Sequence, residues 1–125
     1  MAYKVILDTS AAIELLKRNN SSVIEAIEME KPEEVLISGV TRFELEVGSE
    51  GDSRIADIPC ISIRCEAFAL AGRLYSELSA KGKMPGVKDC FIAACAITEE
   101  ALLVSYDRDF GLFSEYGLNA RILKK

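Results

Sequence analysis

Four acids stand at the edge of apolar stretches. Asp8 follows Val5-Ile6-Leu7, Glu44 sits in Thr41-Arg42-Phe43-Glu44-Leu45, Asp89 precedes the unbroken apolar run Cys90–Ile97, and Asp107 follows Leu103-Val104-Ser105-Tyr106. A carboxylate beside a buried segment needs water, a hydrogen-bond donor or a cation. Each has a plain reading: Asp8 as a turn residue or helix cap, Glu44 as a solvated residue at a stripe's edge, Asp89 as an N-cap, Asp107 as an Asx turn. Gathered in one place, however, four carboxylates repel one another and require cations. An all-oxygen donor set suits Mg2+ or Mn2+, which keep several waters and take a few carboxylates plus substrate phosphate. Such an ion activates water and neutralises charge building on a phosphodiester, so metal-dependent phosphoryl chemistry is within reach of this set.

The rest of the composition narrows the alternatives. The chain has no histidine, which removes Ser-His-Asp and Cys-His catalysis and every His-ligated metal motif. Its four cysteines, Cys60, Cys65, Cys90 and Cys95, form two C-x4-C pairs. Residues five apart on a helix differ by about 140° around its axis, so Cys90 and Cys95 are poorly placed to share one zinc ion. Buried free thiols in a reducing cytoplasm are the expectation. The formal charge of −5 argues against a nucleic-acid binder only weakly, because removing four metal-neutralised carboxylates leaves −1.

These acids need rigid elements behind them. At 125 residues the chain is read as one domain, 1–125, with no apolar run long enough to span a bilayer and a cytoplasmic location. Apolar runs predict strands over Tyr3–Leu7, Val35–Ser38, Ile58–Ile63, Ala101–Val104 and Asn119–Leu123, with Pro59 marking an edge strand. Helices are predicted over Ala11–Arg18, capped by Thr9 or Ser10; from Ser22 to Glu30, opened by a capping box; and over Val40–Val47, with Val40, Phe43, Glu44 and Val47 on its inner stripe. Two more follow over Cys65–Ala80 and Lys88–Glu99, and a short one includes Leu112-Phe113. Buried strands alternating with helices imply a parallel sheet covered on both faces, with ligands beyond the carboxyl ends of the strands. Asp8 and Asp107 then share a rim if their strands are neighbours.

Asp8-Thr9-Ser10 after a strand, Glu44 in its helix, Asp89-Cys90-Phe91-Ile92-Ala93-Ala94, and Ser105-Tyr106-Asp107-Arg108-Asp109-Phe110 together resemble PIN-domain ribonucleases, most closely the small VapC-type toxins of toxin–antitoxin pairs. The resemblance runs the length of the chain. It implies an α/β fold of three layers, a parallel sheet of order 3-2-1-4-5 with helices on both faces. It also implies Mg2+- or Mn2+-dependent endonucleolytic cleavage of single-stranded or loop RNA; in-line attack of metal-bound water, leaving a 5′-phosphate and a 3′-hydroxyl, is the expected course. Asp8, Asp89, Asp107 and Glu44 would be the catalytic and metal-holding residues, with Asp8 and Asp89 as direct ligands. Thr9, Ser105 and Asp109 would support them. Ser105 stands where the family often has threonine.

Arg42 and Arg108 are the candidate phosphate contacts, with Lys17, Lys81, Lys83 and Lys88 sharing that role; the plain reading of each of the six is a solvated surface charge. A small antitoxin is expected to cover the acids with Arg or Lys, and relatives suggest a homodimer served by Tyr75, Phe113 or Tyr116. The competing reading is a PIN-like module that binds RNA or protein without cutting. A receiver domain lacks its acidic pair at the first strand, and a haloacid-dehalogenase phosphatase would need aspartate where Ser10 stands.

Overall fold

Short Val, Ile and Leu runs satisfy their backbone groups in a sheet, and when both sheet faces are covered they need no polar alternation. The computed structural model, which describes residues 2–17, 21–48 and 52–125, has this arrangement. Its strands are β1 (Lys4–Leu7), β2 (Glu34–Ser38), β3 (Cys60–Ile61), β4 (Leu102–Ser105) and β5 (Asn119–Ile122). Its α-helices are α1 (Thr9–Lys17), α2 (Ser21–Glu30), α3 (Gly39–Gly48), α4 (Cys65–Ala80) and α5 (Val87–Thr98). Segments Ser53–Asp57 and Arg108–Tyr116 are 3-10 helical.

All strand pairs are parallel, and the order is β3-β2-β1-β4-β5, the order that the family resemblance implies. Leu7 lies opposite both Ile37 and Val104, so the next residues, Asp8, Ser38 and Ser105, emerge at one rim. Side-chain alternation along β1 splits the core in two. Ile6 joins Leu36, Leu103 and the buried faces of α4 and α5, while Val5 and Leu7 join Ile37, Val104, Ala11, Ala12 and Leu45. Phe110 and Phe113 are each 1% exposed and pin the 3-10 segment after Asp107 onto the first of these cores. Burial of each contributes roughly 1.5–3 kcal/mol.

Several expectations need correction. Helix α1 begins at Thr9 rather than Ala11, because the Asp8 side chain caps it: Ala11 N donates to Asp8 Oδ1 at 2.9 Å. Thr9 and Ser10 therefore lie inside the helix and do not cap it, and Ile13 is exposed. Helix α2 opens one residue early, and the Ser22 hydroxyl pairs with the Tyr106 hydroxyl. The end expected for the first helix at Arg18 lies outside the described residues.

Helix α3 follows β2 with no loop, and its rotation is set at that junction, where Thr41 N donates to Ser38 Oγ at 3.3 Å. Thr41 and Leu45 are its buried residues, whereas Phe43 and Val47, expected inside, are 60% and 66% exposed. Strand β3 is only two residues long, consistent with an edge cut short by Pro59. Cys60 and Cys65 are exposed free thiols, so the buried-thiol expectation holds only for Cys90 and Cys95. Phe113 is buried and has no free face for a partner. Among the described residues no helix is long and apolar enough to cross a membrane.

Candidate functional site

The parallel register brings the first acid to the rim fully wired. Asp8, 4% exposed, accepts from Ser10 Oγ (2.7 Å) and Ala11 N (2.9 Å) on Oδ1, and from Ser105 Oγ (2.6 Å) on Oδ2. Three donors take three of the roughly four lone-pair positions on a carboxylate, leaving one for another ligand. Burial pushes the Asp8 carboxyl above its usual range; the Ser105, Ala11 and Ser10 donors pull it back, and the Asp107 charge adds to the rise. Ser105 does double duty, since its oxygen also accepts from Asp107 N at 2.8 Å. One fully buried hydroxyl thus fixes Asp8 and the backbone leading into Asp107.

Thr9, the first residue of α1, donates its hydroxyl to Glu44 Oε1 at 2.6 Å and lies 3.3 Å from the Thr41 hydroxyl. Glu44 is thereby held to the β1 rim although it lies on a helix beyond β2. Its other oxygen receives Lys88 Nζ at 3.4 Å. Lys88, a candidate phosphate contact from the sequence, is instead engaged with this acid.

Asp89 is different in kind. The N-cap of α5 is Gly86, and no side chain caps the helix, so Asp89 is its third residue and not its cap. Its carboxylate nevertheless folds back over the helix start: a Cβ built on Gly86 would meet Asp89 Oδ2 at 3.3 Å. Burial, then the charges of Asp107, Asp8, Asp109 and Glu44, raise the Asp89 carboxyl to about 6. Every charged influence on it is negative. The helix dipole favours its ionised form, but burial and the surrounding acids together outweigh it. Five carboxylates thus share one electrostatic neighbourhood, including all four singled out from the sequence and Asp109.

Asp107 caps the 3-10 segment by accepting Asp109 N on Oδ1 at 2.9 Å, the Asx turn foreseen as its plain role, while it also faces Asp89. Arg108 is exposed beside it. Arg42 is not brought to the acids: it pairs with Glu46 at 3.6 Å on α3, and its charge acts on Cys60 at the β3 edge. Ser10 is the residue that sequence reading missed. It bonds Asp8, accepts Tyr106 N at 3.0 Å, and lies 3.4 Å from the Ser105 hydroxyl. The signal was a hydroxyl two residues after an acid at a strand end, a spacing that permits a local side-chain bond.

The donor set is all oxygen and lacks a neutralising base at Asp89, which suits a hard divalent cation. Among the described residues no group of three acids or cysteines is drawn together tightly enough to hold an ion by itself. That is compatible with Mg2+, which usually takes one or two carboxylates, keeps waters and adds substrate phosphate, and not with a closed protein cage.

The PIN domain family model matches residues 5–116 of this chain. Ribonuclease VapC3 of Methanocaldococcus jannaschii is 27% identical over 92 residues, 71% of this chain and 94% of that protein. DNA-bound VapBC from Salmonella typhimurium contains a similar chain with a TM-score of 0.80 and 23% identity, covering 96% of this chain and 98% of that one. VapBC2 from Rickettsia felis, bound to a fragment of its promoter, matches with a TM-score of 0.75 and 22% identity over 97% and 99% of the two chains. VapC20 of Mycobacterium tuberculosis, described as a sarcin-ricin loop cleaving toxin, matches at 0.61 and 14% identity over 97% and 99%.

Proposed function

The chain belongs to the PIN-domain family, and from that premise we propose that it is a Mg2+- or Mn2+-dependent endoribonuclease, the toxin of a toxin–antitoxin pair. The observation that carries the reading is Asp89: a half-buried carboxylate with no hydrogen-bond donor or cation among the described residues, surrounded by four further acids. A hard cation turns the mutual repulsion of these acids into a binding site. The ribonuclease named among the relatives, and the toxin–antitoxin complexes among the structural neighbours, support the same reading. We take residues 1–125 as one domain working in the cytoplasm.

Asp8 and Asp89 would hold the ion. When bound, it would neutralise charge on the scissile phosphate and lower the pKa of a nearby water. The chain's own part is positional. Ser10 and Ser105 fix the Asp8 oxygens, so that its remaining lone pair has one direction. Thr9 fixes Glu44, which with Asp107 is placed to orient the attacking water or to serve a second ion. Ser105 also locks the backbone entering Asp107, so the acid on β1 and the acid after β4 keep a constant relation. The apolar body of α5, buried from Cys90 to Ala96 except for half-buried Phe91, prevents Asp89 from retreating out of the acid field. No side chain here is equipped as a covalent nucleophile. Hydrolysis by water follows, with a 5′-phosphate and a 3′-hydroxyl as the expected ends.

A small antitoxin presenting Arg or Lys to these acids is the expected protein partner. A homodimer is the expected assembly. Exposed Phe43 and Phe68, with half-buried Phe91, line an apolar groove that serves such an interface better than the buried Phe113.

The second reading, a module that binds RNA or protein without cutting, draws on Lys88, which already neutralises Glu44. Purified protein incubated with cellular RNA and Mn2+ separates the two. Cleavage that leaves 5′-phosphates, stops with a chelator and falls ~10²-fold in Asp89→Asn supports the nuclease. RNA left intact by correctly folded protein at every Mn2+ concentration supports the binding module.

A further inference from the structure

Beside the acids lies a cleft of about 500 Å3 whose lining includes Leu78, Lys81, Lys83, Arg108, Asp109 and Glu115. We propose that this cleft carries the RNA backbone on one side of the cleavage position, with Lys83 and Arg108 on its phosphates; the proposal rests on the nuclease reading above. Asp109, one of the five acids, lines the cleft, and two stretches of its wall adjoin the others along the chain. Arg108 and Asp109 directly follow Asp107, and Lys83 opens the short segment that reaches Gly86, against which the Asp89 carboxylate rests.

Charge selects the ligand. A chain of net charge −5 with five acids around one opening repels a polyanion unless cations receive the strand as it leaves. Three cations line this cleft against two acids, Asp109 and Glu115. Lys81 is engaged: its ammonium lies 3.8 Å from Glu115, donates to the Tyr116 hydroxyl at 3.0 Å and sits 5.2 Å from that ring's centre. Lys83 and Arg108 are exposed, and neither side chain forms an ion pair or hydrogen bond among the described residues. By contrast Lys88 and Arg42, the other cations nearest the acids in sequence, are held by Glu44 and Glu46. Two uncommitted cations flanking the exit from an acidic centre are suited to successive phosphates. They give affinity and direction without reading bases.

The test measures binding of dye-labelled single-stranded RNA by anisotropy, in an Asp89→Asn background so that the strand survives. Lys83→Ala with Arg108→Ala is compared with Lys31→Ala, which lies before β2 at the opposite end of the sheet. The double variant should bind about tenfold or more weakly at low salt, and its log K against log salt should be shallower by about 1.4, or ~0.7 for each phosphate no longer neutralised. Lys31→Ala should match the parent. Strands extended on only one side of the cleavage position should carry most of the lost affinity. Unchanged affinity and slope in a folded double variant, while wild-type protein still cleaves RNA, overturns the cleft and leaves the nuclease intact. The same result with loss of a co-purifying acidic protein assigns the cleft to that partner instead. If wild type neither binds nor cleaves RNA, the nuclease reading falls and takes this proposal with it.

Discussion

Asp89→Asn should make the metal-free protein more stable at pH 7.5 while destroying its activity. The Asp89 carboxyl is raised from 3.8 to about 6, so the folded state binds its proton more tightly than the unfolded state does. Its contribution to stability therefore falls as pH rises from about 4 to about 6 and stays at its lowest above that window. A rise of that size corresponds to a ceiling of about 3 kcal/mol. The group is only half-buried, and solvent screening reduces this to about 1.5 kcal/mol. Loss of a favourable charge in the first turn of α5 subtracts about 0.5 kcal/mol.

The net gain is about 1 kcal/mol, or roughly 3–5 °C in Tm for a chain of this size. Asparagine is nearly isosteric, and the carboxylate it replaces accepts no hydrogen bond among the described residues, so the exchange breaks none. Thermal unfolding of both proteins with a chelator, at pH 4 and at pH 7.5, reads the effect. The gain should appear at pH 7.5 and vanish at pH 4. A variant equally or less stable at pH 7.5 would refute the idea that Asp89 is held against an unfavourable field.

The same field predicts that Mg2+ at a hundredfold excess over its Kd at pH 7.5 stabilises wild type by about 2.7 kcal/mol at that pH and by less at pH 5, because protons compete for the carboxylates; equal shifts in Tm at both pH values would contradict it. Ser105→Ala should cost about 2–3 kcal/mol, since it strips a donor from Asp8 and an acceptor from Asp107 N inside the protein, and denaturant unfolding should show it. Thr9→Ala frees Glu44 to swing toward Lys88, so cleavage should fall with little change in RNA affinity; a fall in affinity alone would place Thr9 in binding and not in positioning.

Much of this architecture was legible because it depends on local chemistry. Strands β1 and β4 and helices α4 and α5 follow from apolar runs and helical spacing, and α4 begins and ends where its sequence pattern does. The four acids could be picked out because each interrupts such a run or borders one. What sequence could not supply was rotation and partnership. Helix α3 turns Phe43 outward because it joins β2 without a loop, a tertiary constraint that its own apolar stripe does not encode. Asp8, read as a turn or cap, is a cap as well as a proposed metal ligand, and Asp89, read as a cap, is not one. Ser10 and Lys88 acquire their roles through neighbours 95 and 44 residues away, which no local pattern registers.

Direct measurement of Mn2+ binding by titration calorimetry at pH 7.5, on wild type, Asp8→Asn and Asp89→Asn, tests the central claim most closely. The account predicts saturable binding to wild type that weakens at least 10–100-fold in each variant, with every protein folded. Wild-type affinity retained in both variants, or no binding by wild type, would contradict it.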